Sequence, residues 1–128
     1  MIQRPRLLAI DDDPDYRKWL RHVLRSRFFV VDAADGPDGY SRALSSGPHI
    51  VLIDYQMEGW DGLFTLRKFR DDPQLKDLPI VMLTGDAQRE TVLEAIQAGA
   101  TSYVLKSTAT KESLSNKLLT LLNRQDEE

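Results

Sequence analysis

The stretch RLLAIDDDPDYRKWL, residues 6–20, sets a short apolar run against four carboxylates and then against a new periodicity. Leu7, Leu8, Ala9 and Ile10 form a continuous apolar run, the pattern of a strand buried on both faces. Tyr16, Trp19, Leu20, Val23 and Leu24 then recur at helical spacing. The acidic turn between them divides in two. Asp13 precedes Pro14, which makes it an N-cap followed by a proline at the first helical position. Asp15 falls in the first turn, where the helix dipole favours an anion by about 0.3–1 kcal/mol. Asp11 and Asp12 are left at the end of the strand as adjacent like charges, a costly arrangement without a cation.

The same alternation continues along the chain. Residues 28–34, FFVVDAA, are β-branched and aromatic and predict a strand. Residues 36–47 predict a short helix, with Pro37 in its first turn and Gly47 as its stop. HIVLIDY (49–55) and LPIVMLT (78–84) are apolar without alternation, as in strands covered on both sides. Residues 62–72 carry Leu63, Leu66 and Phe69 at helical spacing. Residues 87–100 predict a helix with Val92, Ala95 and Ile96 inward and Gly99 at its C-terminal cap. TSYVLK (101–106) predicts a strand, and a last helix over about 110–124 buries Leu114, Leu118, Leu121 and Leu122.

Five strands alternating with five helices imply right-handed βαβ units and a parallel α/β sheet covered on both faces. Strands this short favour the doubly wound order 2-1-3-4-5, the flavodoxin-like arrangement. The 128 residues fit one domain, with a core over about 6–122 and a frayed tail at 123–128. No apolar run approaches the ~20 residues needed to span a bilayer. There is no cysteine, which excludes a disulfide framework and a thiolate metal site. A net charge of -3 argues against a nucleic-acid surface.

In an open α/β sheet the ligand crevice lies beyond the carboxyl ends of the strands, where strand order reverses. The first strand ends in Asp11 and Asp12, the third in Asp54, the fourth in Thr84 and the fifth in Lys106. Three carboxylates brought together need a proton or a cation, and an all-oxygen set selects a hard ion such as Mg²⁺. A lysine suits a phosphate oxygen, and a threonine can donate to one. The set reads as a phosphoryl site with Asp54 as the attacking group. With no glycine-rich phosphate loop, a bound nucleotide is not indicated.

The segments LLAIDDDP, IVLIDYQMEGWDG, IVMLTGDA and AIQAGATSYVLK, followed by an amphipathic helix, resemble the receiver domain of two-component response regulators over residues 6–122. The resemblance implies a phosphoacceptor rather than an enzyme. Asp54 would accept a phosphoryl group from a sensor histidine kinase or a histidine phosphotransfer protein. Asp12 and Asp54 would ligate Mg²⁺, which Mn²⁺ can replace, with Asp11 acting mainly through water and the Gln56 backbone carbonyl as a further ligand. Lys106 would contact the acyl phosphate. Thr84 would turn toward the phosphate oxygens and Tyr103 would swing inward behind it. That movement would alter the surface of the fourth helix, fifth strand and fifth helix, where an effector domain or a second copy docks. A cytoplasmic location without membrane or direct nucleic-acid partners is implied.

The chain departs from the family pattern at Glu58 and Ser107, where proline is usual. The family's Lys–Pro bond is generally cis, and a cis bond before serine costs about 3–4 kcal/mol. Asp86, two past Thr84, reads either as a group that tunes phosphate lifetime or as a helix cap. Trp60 reads as an aromatic beside the site, and His22 and His49 lack metal-like spacing.

Two other functions are open to these residues. A haloacid-dehalogenase-like phosphatase also uses an Asp nucleophile, Mg²⁺, a Thr and a Lys, but attacks from the first strand, here through Asp11. A receiver-like module could bind partners without phosphorylation. A Ca²⁺ loop over Asp11, Asp13 and Asp15 fails on spacing, because its sixth position is Tyr16 and its twelfth is His22.

Overall fold

A computed structural model describes residues 4–85 and 88–127, with side chains to residue 124. The strands are β1 (Arg6–Ile10), β2 (Phe29–Ala33), β3 (Ile50–Asp54), β4 (Ile80–Thr84) and β5 (Ser102–Leu105). The helices are α1 (Pro14–Leu24), α2 (Gly36–Ser46), α3 (Gly62–Asp71), α4 (Arg89–Gln97) and α5 (Lys111–Glu127). The sheet is parallel with order β2-β1-β3-β4-β5, as the strand pattern predicts.

Side-chain alternation sorts the core into two layers. Leu8, Ile10, Val51, Ile53, Ile80 and Met82 face α2, α3 and α4, meeting Ala43, Leu66, Phe69 and Ala95. Leu7, Ala9, Ile50, Leu52, Val81 and Leu83 face α1 and α5, meeting Leu20, Leu24, Leu114 and Leu118. Every residue of β3 and β4 is buried, which is why those segments carry no polar alternation.

The helix starts follow local capping. Asp13 accepts from the Asp15 amide at 3.0 Å and the Tyr16 amide at 3.4 Å, with Pro14 behind it. Asp35 and Asp61 cap α2 and α3 in the same way, each accepting from an amide three residues on. Gly47 closes α2 at φ 60 and ψ 59, a left-handed conformation that glycine takes without a Cβ penalty.

Two expectations need correction. Ile96 is 45% exposed, not inward, and so is Leu93, while Ala95 is buried. Helix α4 enters the core through Ala95, with Val92 half-buried, a narrower stripe than the pattern suggests. Helix α5 runs through Glu127, past the expected end near 124, so most of the stretch read as a frayed tail is helical. Among the described residues there is no cis peptide bond, so Lys106–Ser107 is trans. No helix of the described residues is long and apolar enough to cross a membrane.

Candidate phosphoryl and metal site

The register decides what meets at the top of the sheet. Ile10 pairs with Ile53, so Asp11, the next residue, arrives beside Asp54. The ladder continues one step past β1 through the Asp11 amide, which donates to the Ala33 carbonyl at 3.1 Å. Asp54 pairs with Leu83, which brings Thr84 to the same level. The Lys106 amide donates to the Thr84 carbonyl at 2.8 Å and fixes the lysine backbone at the end of β4.

Carboxylate oxygens of Asp11, Asp12 and Asp54 lie within 4.8 Å of one another. Asp11 is fully buried, Asp54 is 5% exposed and Asp12 is open to solvent. Lys106 reaches across the sheet, its Nζ 2.8 Å from Asp11 Oδ2 and 3.3 Å from Asp54 Oδ1. Asp11 Oδ1 accepts from the Asp13 amide at 2.9 Å, which ties the buried carboxylate to the start of α1. Arg17 donates to the Asp11 carbonyl at 2.7 Å and pairs with Asp32, which also binds Arg21.

The charge balance is acidic. Burial, and then the charge of Asp11, push Asp54 up to about 7, against a smaller lowering by Lys106. Burial alone would lower the Lys106 ammonium, but the two carboxylates outweigh it and hold it above its ordinary value. Three carboxylates against one ammonium leave room for a divalent cation, and an all-oxygen donor set of this kind fits Mg²⁺.

The remaining predicted residues fall where their positions imply. Thr84 is buried at the end of β4. Gln56 is exposed and lines a groove of about 370 Å³ with Asp12, Met57, Glu58 and Asp61. Tyr103 is 38% exposed, and Lys117 stands 5.7 Å from its ring centroid. Trp60 sits in the β3–α3 loop against Phe64, at 5.1 Å between ring centroids. Asp13 and Asp15 belong to α1 and not to the carboxylate cluster. His49 accepts from the Arg6 amide at 3.0 Å, a structural role. Asp86 lies outside the described residues.

One neighbour escapes a reading of the sequence. The Tyr16 ring lies under Lys106, its centroid 4.4 Å from Nζ. Burial, then the charges of Asp11 and Asp54, push the Tyr16 hydroxyl up to about 12. In the sequence Tyr16 is one more apolar position of α1, and only the fold carries Lys106 to it.

The family described as Response regulator receiver domain matches residues 7–118. The chemotaxis protein CheY of Pseudomonas aeruginosa is 34% identical over 103 residues, covering 79% of this chain and 83% of that protein. The chemotaxis protein CheY-3 of Vibrio cholerae is 33% identical over 103 residues, covering 79% of each. Among solved structures, the Vibrio cholerae chemotaxis protein CheY4 superposes with a TM-score of 0.86 at 28% identity, over 91% of this chain and 98% of that one. A putative response regulator from Chloroflexus aurantiacus gives a TM-score of 0.88 at 28% identity, over 94% and 98%.

Proposed function

The chain belongs to the response regulator receiver domain family, and on that premise we propose that it is a phosphorylation-dependent switch whose phosphoacceptor is Asp54. A receiver accepts a phosphoryl group on itself and is not an enzyme with a separate substrate. The observation that carries the assignment is the convergence of Asp11, Asp12 and Asp54 within 4.8 Å, with the Lys106 ammonium 3.3 Å from Asp54.

An Asp54 carboxylate oxygen attacks the phosphorus of a phosphohistidine on a sensor histidine kinase or histidine phosphotransfer protein. The new P–O bond makes an acyl phosphate, and the broken P–N bond leaves its electron pair on the imidazole. Asp12, Asp54 and the Gln56 carbonyl would hold Mg²⁺, with Asp11 acting through water. Bound there, the ion supplies neutralisation of charge on the phosphoryl oxygens. Lys106, 3.3 Å from Asp54, supplies a second positive charge. The buried Asp11 keeps that ammonium close before the phosphoryl group arrives.

Phosphorylation adds about -1.5 to -2 charge and three acceptor oxygens. In that state the Thr84 hydroxyl turns toward the new phosphate oxygens, and Tyr103, 38% exposed, turns inward behind it. The difference biases the surface of α4, β5 and α5 between two arrangements. Exposed Leu93, Ile96 and Tyr103 on that surface support docking of an effector domain or a second copy there.

The test is intact mass after acetyl phosphate and Mg²⁺, with Trp60 fluorescence following beryllofluoride. Wild type should gain one phosphoryl group and the Asp54→Ala variant none. No adduct on wild type, or an unchanged adduct in the variant, defeats the assignment. An adduct on Asp11 would return the phosphatase reading.

A further inference from the structure

Lys106 carries a four-carbon stem and loses rotamer freedom when it is held at one point. Its two carboxylate partners are the groups that phosphorylation alters. Asp54 becomes an acyl phosphate, and Asp11 faces a cation as well as the lysine. An ammonium anchored only by those charges has to exchange its partners as the transfer proceeds.

The Tyr16 ring is a different kind of anchor. Its centroid lies 4.4 Å from Lys106 Nζ, inside the range of a cation–ring contact. The ring is itself braced by Trp19, at 5.2 Å between centroids. It comes from the first turn of α1, whose N-cap Asp13 is tied to Asp11. The Tyr16 hydroxyl is buried and has no hydrogen-bond partner among the described residues. What the site uses is then the face of the ring and not its oxygen. Tyr16, Trp19, Lys106 and Ala109 also line, with Asp13 and Asp15, a groove open to solvent.

We propose that Tyr16 is a positioning residue, whose ring holds the Lys106 ammonium at the phosphoryl site while its carboxylate partners change state. The inference rests on the receiver reading of Asp54. A small donor is the right probe, because loss of a protein-docking contact does not register with it.

The experiment compares initial rates of phosphorylation by acetyl phosphate with Mg²⁺, read by intact mass. Tyr16→Leu should slow the reaction about three- to tenfold. Tyr16→Phe keeps the ring and should restore most of the rate. In a Lys106→Ala background, Tyr16→Leu should cost nothing further. Thermal midpoints show whether each variant is folded, and ring-current shifts of the Lys106 ε-methylene protons show the contact in wild type and Tyr16→Phe alone. A Tyr16→Leu rate within twofold of wild type overturns the inference and leaves the receiver reading standing. So does a Tyr16→Phe variant as slow as Tyr16→Leu, or an undiminished effect in the Lys106→Ala background. A wild type that accepts no phosphoryl group overturns the receiver reading and this inference together.

Discussion

The Lys106 ammonium lies 2.8 Å from Oδ2 of Asp11, a carboxylate with no solvent exposure. Removing one partner of a buried ion pair leaves an uncompensated charge, which costs more than the pair itself contributes. Lys106 is 20% exposed in its side chain, which moderates the effect. Lys106→Ala should therefore destabilise the metal-free protein by about 1–3 kcal/mol. Mg²⁺ should recover most of that loss, since a cation in the cluster replaces the missing charge. Chemical denaturation with and without Mg²⁺ measures both. Equal losses in the two conditions would mean that the cation does not replace the missing ammonium charge.

Asp54 gives the metal-free protein a pH dependence with an unusual sign for a carboxylate. Its ordinary value is 3.8 and the fold pushes it up to about 7. Between those values the folded chain binds more protons than the unfolded one, so stability falls as pH rises through the window. The depressed Asp72, whose carboxylate accepts from the Tyr40 hydroxyl, acts below that window. The raised Lys106 acts above it. In EDTA the thermal midpoint of wild type relative to Asp54→Asn should drop between pH 5 and pH 8. The comparison cancels the titrating groups away from Asp54. Saturating Mg²⁺ should flatten the drop by favouring the ionised carboxylate, and a flat difference curve in EDTA would contradict the burial of Asp54.

Adjacent acidic residues at the end of β1 should separate by phenotype. Asp12 is exposed and belongs to the carboxylate cluster. Asp13 points its carboxylate at the amides of Asp15 and Tyr16. Asp12→Ala should abolish Mg²⁺-dependent phosphorylation while leaving the thermal midpoint nearly unchanged. Asp13→Ala should cost about 0.5–2 kcal/mol of stability and leave Mg²⁺ binding in place. Calorimetric Mg²⁺ titration and thermal denaturation of the two variants decide it, and loss of Mg²⁺ binding in Asp13→Ala would move the ligand set by one residue.

Much of this was legible before any coordinates, for a physical reason. Strands buried on both faces must be continuously apolar, so IVLID and IVMLT announce a parallel sheet and its carboxyl ends at once. Asp54 and Thr84 are the residues where those runs stop. The sheet order then converts strand ends into neighbours, and the Asp11–Asp12 pair and the distant Asp54 become one site. Periodicity is poorer at choosing which part of a wide apolar arc faces inward. Val92, Leu93, Ala95 and Ile96 form such an arc on α4, and only Ala95 of the four is fully buried. Tyr16 is hidden differently. Its helical spacing with Trp19 and Leu20 explains it completely as a packing residue, and its contact with Lys106 joins positions 90 apart.

Gly62 offers a test of how tightly the backbone under Asp54 is held. A Cβ at Gly62 would lie 2.4 Å from the Asp54 carbonyl oxygen and 2.6 Å from Tyr55 Cα, both backbone atoms. The Gly62 amide also donates to the Tyr55 carbonyl at 3.0 Å, so α3 begins pressed against the end of β3. A methyl group there cannot be accommodated by a rotamer change. Either the start of α3 lifts or the Asp54 backbone moves. Gly39 is the control, because the nearest atoms to its Cβ would all belong to the Ile10 side chain, the first at 2.3 Å, and none to the Asp54 backbone. Both Gly62→Ala and Gly39→Ala should lose about 1–3 kcal/mol of stability through overpacking. Gly62→Ala alone should also weaken beryllofluoride binding in the presence of Mg²⁺, since the phosphoacceptor is the residue displaced. Titrations followed by Trp60 fluorescence, at a temperature where both variants remain folded, compare the two. Equal affinities would show that the strain is relieved by movement of α3 and that Asp54 keeps its place.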